Sequence, residues 1–229
     1  MNPLLTRLLL AAAVVPALSI AADPAPTGPE RWEKDIAALE AREAKSPTPG
    51  GAILFVGSSS IRMWDVKSSW PEENVLNHGF GGSTLPDSIH FFDRLVTPYR
   101  PRAVVVYAGD NDIGKGRSSE QVTTDFEKLA GLVKKSLPGV PLVFVAIKPS
   151  VKRWNLWPQM RQANEAIAAI CKADEDLYFA DIATPMLESS GTPPKIEWFK
   201  TDGLHLSPVG YEEWTKVVSG VLRKAGVLK

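Results

Sequence analysis

The chain has 229 residues, 44% of them hydrophobic, 23% charged and 8% aromatic, which excludes a disordered tail, a collagen-like repeat and a disulfide-built miniprotein. Lys plus Arg number 26 and Asp plus Glu number 26, so no net field draws the chain toward nucleic acid or an anionic membrane, and the expected partner is a small molecule. One globular domain is the default.

In chain order, residues 1–21 carry one charge, Arg7, then the apolar run Leu8 to Val15 and a small-residue stretch ending Ser19-Ile20-Ala21-Ala22. That layout reads as a cleaved secretory signal, too short and weakly flanked to span a bilayer. Cleavage before Ala22 leaves a near-neutral chain with no cysteine at its new end to take a lipid anchor. A secreted or periplasmic protein without stable membrane insertion is therefore expected. Residues 22–28, rich in Pro, Thr and Gly, read as a linker, and residues 29–229 as the domain.

Trp32, Ile36 and Leu39 recur at helical spacing, so a packing helix opens the domain. Beyond it, Ala52 to Val56, Val75-Leu76, Ala103 to Ala108, Leu142 to Ile147 and Leu177 to Ala180 read as strands. Helical patterns intervene: Ile89/Phe92/Leu95/Val96, Val122/Phe126/Leu129/Val133 and Met160/Ala163/Ile167/Ile170. Tyr211, Trp214, Val217, Val218 and Val221 stripe a last helix begun by Ser207-Pro208. Parallel neighbours need crossover helices, and strands buried on both faces read as unbroken Val/Ile/Leu/Phe runs, so the pattern predicts an α/β protein, a three-layer α/β/α sandwich. Cys171, the sole cysteine, cannot form an internal disulfide and reads as a core thiol.

In open parallel sheets ligands gather beyond the carboxyl ends of the strands. Four segments there carry chemistry: Gly57-Ser58-Ser59-Ser60, Asn77-His78-Gly79-Phe80-Gly81-Gly82-Ser83, Gly109-Asp110-Asn111-Asp112 and Thr201-Asp202-Gly203-Leu204-His205. A serine hydroxyl needs a base, and histidine is the side chain suited to that at neutral pH. Of three histidines, His78 and His90 read as packing or surface residues. His205 differs because Asp202, three residues earlier, is placed to accept its Nδ1 proton and fix its tautomer. A short helix near Ile61 to Trp64 would offer free N–H groups beside the serines, although chemistry alone leaves the choice among the three serines open and an N-cap is the plain alternative. Gly82 could bring a backbone N–H to a substrate oxygen unobstructed, and Asn111 could aim its amide at the same oxygen.

Competing motifs fail: Gly57 to Ile61 lacks the closing glycine of Gly-x-Ser-x-Gly, no P-loop follows a strand, and Asp110 to Gly114 lacks the ligands of a calcium loop. No metal site is expected. Trp154, Trp157 and Trp198 fall in or beside loops on the site's side, as candidates for substrate binding or plain loop packing. Lys148 and Arg153 read as solvated surface charge, or as reception for an anionic substrate.

The four segments resemble, in order and spacing, the blocks of the SGNH (GDSL-type) esterase/lipase superfamily, over about Gly51 to Tyr211. Phe55-Val56-Gly57-Ser58-Ser59 is similar to the nucleophile block Phe-x-Gly-Asp-Ser, which singles out Ser59. The second block puts a backbone oxyanion donor at Gly82, and Gly109-Asp110-Asn111-Asp112, similar to Gly-x-Asn-Asp, puts the side-chain donor at Asn111. Asp202 to His205 matches Asp-x-x-His. The resemblance implies a catalytic set of Ser59, Asp202 and His205, an oxyanion hole of Ser59, Gly82 and Asn111, a flavodoxin-like five-stranded parallel sheet, and no cofactor. The compact size and the Gly-Phe-Gly-Gly-Ser turn look most like the platelet-activating-factor acetylhydrolase-like members. One departure is visible, since Ser58 stands where the family places Asp. The expected activity is an exported serine acylhydrolase acting on short acyl esters, because no lid segment is evident. The alternatives are a carbohydrate O-deacetylase, a lysophospholipase or thioesterase, and a catalytically silent binding protein.

Overall fold

A computed structural model describes residues 27–187 and 191–229, so the expected signal and most of the linker lie outside the described residues. Five parallel strands form one sheet in the order β2-β1-β3-β4-β5: β1 (Ile53–Gly57), β2 (Val75–Gly79), β3 (Ala103–Tyr107), β4 (Leu142–Val145) and β5 (Leu177–Ala180). The order reverses between β1 and β3, the place where such sheets open a crevice. All five expected strands are present. β2 runs on through Asn77 and His78, which the apolar run Val75-Leu76 did not signal. Both polar side chains find partners: the Asn77 amide donates to the carbonyls of Ile61 and Trp64 at 2.7 and 3.0 Å, and His78 Nδ1 donates to Leu95 O at 2.7 Å.

Alternation along the strands sorts their side chains into two cores, as the period of two demands. Leu54, Val56, Val104, Val106 and Phe144 face one layer, made by α1 (Glu33–Lys45), α4 (Leu85–His90), α5 (Phe92–Leu95), α7 (Ser119–Ser136) and α8 (Trp157–Lys172). Ile53, Phe55, Val105, Tyr107 and Val143 face the other, made by α2 (Ser59–Arg62), α3 (Val66–Ser69), α9 (Ala183–Met186) and α10 (Pro208–Lys224). The expected three layers result. The single helical pattern through Ile89 and Val96 is two helices, because Phe91 leaves helical geometry and turns its ring into the core. Cys171 is a buried free thiol on α8, and burial pushes its pKa up to about 12.

The second core carries an aromatic cluster that reaches the site. Trp64 lies 5.6 Å from Trp214 edge to face and stacks on Tyr211 at 5.7 Å, geometries that add roughly 0.5–1.5 kcal/mol per pair beyond burial. The Tyr211 hydroxyl donates to the carbonyl of Ser60 at 2.8 Å, which ties the last helix to the first strand's exit.

Candidate active site

β1 ends at Gly57 with φ +137°, where a Cβ would stand 2.0 Å from the carbonyl oxygen of Tyr107 on β3. Only glycine permits that approach, and it turns the chain sharply out of the sheet. Ser58 follows as the N-cap residue of α2, its N–H donating to Tyr107 O at 3.1 Å and its carbonyl accepting from Ile61 and Arg62. Its hydroxyl is buried and makes no hydrogen bond. The capping position thus belongs to Ser58, and Ser59, at the first helical turn, has its hydroxyl free for other work. A second glycine, Gly79 at the end of β2, lets α2 lie close, since a Cβ there would be 2.2 Å from Arg62 N.

The candidate base, His205, lies on the loop before α10, closed by an antiparallel bridge between Phe199 and Leu206. Asp202 Oδ1 accepts from the N–H groups of Leu204 and His205, both at 2.9 Å, and Oδ2 meets His205 Nδ1 at 2.5 Å. On the far side of the ring, Nε2 stands 3.0 Å from Ser59 Oγ. With Nδ1–H donated to the carboxylate, Nε2 carries the lone pair that faces the serine. Burial opposes ionisation of Asp202, but the hydrogen bonds from the ring and the two backbone N–H groups outweigh it and hold the carboxyl well below its usual range. Asp202 is therefore ionised across neutral pH.

Beyond β3, α6 (Asp110–Gly114) begins with the oxyanion candidate. Asn111 is buried, donating one amide N–H to Ser83 O at 3.0 Å and accepting at Oδ1 from Arg153 Nη2 at 3.0 Å. Asp112 clamps the block from beneath, accepting from Gly109 N and Leu85 N, each at 3.0 Å. Burial dominates its titration and pushes its pKa up to about 6, with the neighbouring Asp110 adding to the rise. Gly82 is half-buried on the adjoining turn, its carbonyl accepting from Lys115.

The structure corrects the reading of Lys148 and Arg153. Lys148 is 1% exposed, pairing with Asp110 Oδ2 at 3.0 Å and donating to Tyr107 OH at 2.8 Å and Ser60 Oγ at 3.3 Å. Burial pulls its pKa down, yet Asp110, held low against burial by Lys148 and Arg153, keeps the pair ionic. Register explains the meeting: with Val106 opposite Phe144, Asp110 and Lys148 stand equally far beyond paired strands. A lysine directly after an unbroken apolar strand, with a carboxylate at the equivalent place on the neighbour, was the available signal. His78, by contrast, is buried as expected of a packing residue, and His90 is exposed at the end of α4.

Trp154 and Trp157 stack at 6.4 Å with 12° between planes, immediately after Arg153. Trp157 and Trp198 also pack against the cores, so part of each ring is structural. A cleft of about 590 Å³ lined by Met63, Trp64, Lys200, Leu206 and Tyr211 adjoins the base loop. A larger cavity of about 720 Å³ lies beside β2 and α3, and neither cavity has Ser59, Asp202 or His205 in its lining. Chemistry and size point to different places, and the hydrogen-bonded Ser59, His205 and Asp202 mark the candidate site. Among the described residues, no cluster of His, Cys, Asp or Glu could hold a metal ion and no helix is long and apolar enough to cross a membrane.

Comparison with known proteins bears on the family and the fold. The model of the GDSL-like Lipase/Acylhydrolase family matches residues 62–213. An arylesterase from Vibrio mimicus is 20% identical over 68% of this chain and 80% of its own length. Among solved structures, a GDSL-like lipase from Bacteroides thetaiotaomicron superposes with a TM-score of 0.74 at 19% identity, covering 83% of this chain and 98% of that one. An acetyl-xylooligosaccharide esterase mutant from Geobacillus superposes with a TM-score of 0.60 at 16% identity, covering 78% of this chain and 96% of that one.

Proposed function

Because the chain belongs to the GDSL-like lipase/acylhydrolase family, and so to the carboxylic ester hydrolases, we propose that it is an exported serine acylhydrolase of short-chain esters working through Ser59, His205 and Asp202. The observation that carries this reading is the unbroken hydrogen-bonded chain from Ser59 Oγ through the imidazole to the Asp202 carboxylate.

In this reading His205 Nε2 removes the Ser59 proton as Oγ attacks the ester carbonyl, and Asp202 stabilises the imidazolium. The tetrahedral oxyanion lies against the N–H groups of Ser59 and Gly82 and the amide of Asn111. Each aimed donor is worth roughly 10² to 10³ in rate. Collapse expels the alcohol with the proton from His205. Water, deprotonated by the same ring, then attacks the acyl-enzyme and releases the acid and free Ser59. Export rests on the signal-like residues 1–21, and an N-terminus at Ala22 on protein recovered outside the cytoplasm would support it.

A carbohydrate O-deacetylase is the favoured alternative substrate reading. The stacked Trp154 and Trp157 could offer a platform to a sugar ring, and the Geobacillus neighbour acts on acetylated oligosaccharides. Ser59→Ala tests the reaction: p-nitrophenyl acetate turnover should fall by at least about 10⁴-fold with the fold intact, and fluorophosphonate labelling should vanish. Retained turnover overturns the assignment, and failure of the folded wild-type protein to label returns the silent-binding reading. A chain-length series beside acetylated sugars fixes the substrate, and faster hydrolysis of long-chain than acetyl esters would overturn the short-chain assignment.

A further inference from the structure

We infer that Arg153 is a positioning residue for the oxyanion donor: it holds the amide of Asn111 in the one orientation that presents an N–H to the reacting oxygen. The inference rests on the serine-hydrolase reading above.

A carboxamide has two donors and one acceptor, and its two ends are nearly equal in shape, so its partners decide which end faces the substrate. Here Oδ1 accepts from Arg153 Nη2 at 3.0 Å and one N–H is taken by Ser83 O at 3.0 Å, which leaves one N–H unassigned. Flipping the amide would set its NH₂ against the guanidinium and its oxygen against the Ser83 carbonyl, two repulsive contacts in place of two bonds. The guanidinium is itself fixed. Nη1 donates to the Asp110 carbonyl at 2.8 Å and lies 3.4 Å from the Asp110 carboxylate, which the buried Lys148 also binds.

Charge works in the same direction. The guanidinium of Arg153 lies directly on Oδ1 of the amide, and the Asp110 carboxylate it meets is shared with Lys148, so its positive charge stands next to the donor that would face an oxyanion. Electron withdrawal through Oδ1 by the guanidinium also makes the free N–H a better donor. The preceding residue extends the arrangement, because Lys152 N donates to Gly203 O at 3.0 Å on the loop that carries Asp202 and His205. Residues 148–153 thus connect the oxyanion side of the site to the base side.

The test is a double-mutant cycle on p-nitrophenyl acetate. Arg153→Met should lower kcat by about 30- to 100-fold with KM within about threefold, and Asn111→Ala by about 10²- to 10³-fold. The double variant should be no worse than about threefold below Asn111→Ala, because an arginine that acts through the amide has nothing left to position. Arg153→Lys, whose single ammonium cannot span both Asp110 O and Asn111 Oδ1, should lose about tenfold, and it carries the test if Arg153→Met fails to fold. Guanidinium ion at sub-denaturing concentration should restore Arg153→Ala several-fold and leave Asn111→Ala unchanged. Full activity in the folded Arg153 variants, or losses that multiply in the double variant, overturns the inference. An active Ser59→Ala would instead sink the reading beneath it, so the two failures are distinguishable.

Discussion

His205 and Asp202 stand with 27% and 39% of their side chains open to solvent, whereas Asn111, Asp110 and Asp112 across the serine are buried. The base side is a surface loop held mostly by local hydrogen bonds, chiefly the two backbone N–H groups on Asp202 Oδ1, with Lys152 N on Gly203 O as a tie from farther along the chain. The oxyanion side is held by long-range contacts: Lys148 from β4's exit, Arg153 beyond it and Leu85 from α4. The difference fits what the proposed reaction asks of each side. An imidazole that shuttles protons to alcohol and water needs access, while dipoles that stabilise charge act most strongly when fixed and shielded. Changes on the first side should therefore cost activity and spare the fold, and changes on the second should cost the fold.

The largest effect expected is from Asp202→Asn, which keeps the shape of the loop but loses the carboxylate that sets the tautomer of His205. kcat should fall by about 10⁴-fold while the unfolding midpoint barely moves. A large loss of stability would place Asp202 with the structural side. Next comes Lys148→Met, similar in volume, which leaves the buried Asp110 short of its main partner. Denaturant unfolding should show a loss of about 3–5 kcal/mol, and a loss below about 1 kcal/mol would mean that the buried pair does not hold the block.

Asp112 sharpens the comparison through pH. Its folded-state pKa of about 6 lies above the ordinary 3.8, so between those values the folded protein binds a proton that the unfolded chain does not. Stability from this group is therefore present at low pH and lost as pH rises through about 6, amounting to roughly 3 kcal/mol at most. Asp112→Asn should be less stable throughout, because its NH₂ must face a backbone N–H, but it should lack that slope between pH 4 and pH 7. Parallel wild-type and variant curves would contradict the assignment. Smallest is Ser58→Ala, which removes a buried hydroxyl without a partner and should change stability by less than about 1 kcal/mol, in the stabilising direction. A clear loss would reveal an anchoring role like that of the family's Asp.

The sheet and its flanking layers were legible because strands such as Ala103–Tyr107 and Leu142–Val145 are buried on both faces and leave unbroken apolar runs. Polar residues inside an element hid its extent, as with Asn77 and His78 in β2, whose side chains are satisfied by partners far along the chain. The four site segments could be picked out from topology and from the block resemblance, and Ser59, His205 and Asp202 do meet. Lys148 and Arg153 could not be read correctly because exposure is the ordinary fate of a basic residue. Their partners lie 38 and 42 positions away, a distance that only the strand register closes.

The hydroxyl of Ser59 meets its base 146 positions later, and the turn that carries it is tied by Tyr211, 151 positions beyond Ser60. A polypeptide emerging from the ribosome therefore exposes the Ser59 hydroxyl long before the imidazole it meets has been made. If Ser59 is the nucleophile proposed above, the growing molecule has no base to activate it until the loop that carries His205 has been added and folded.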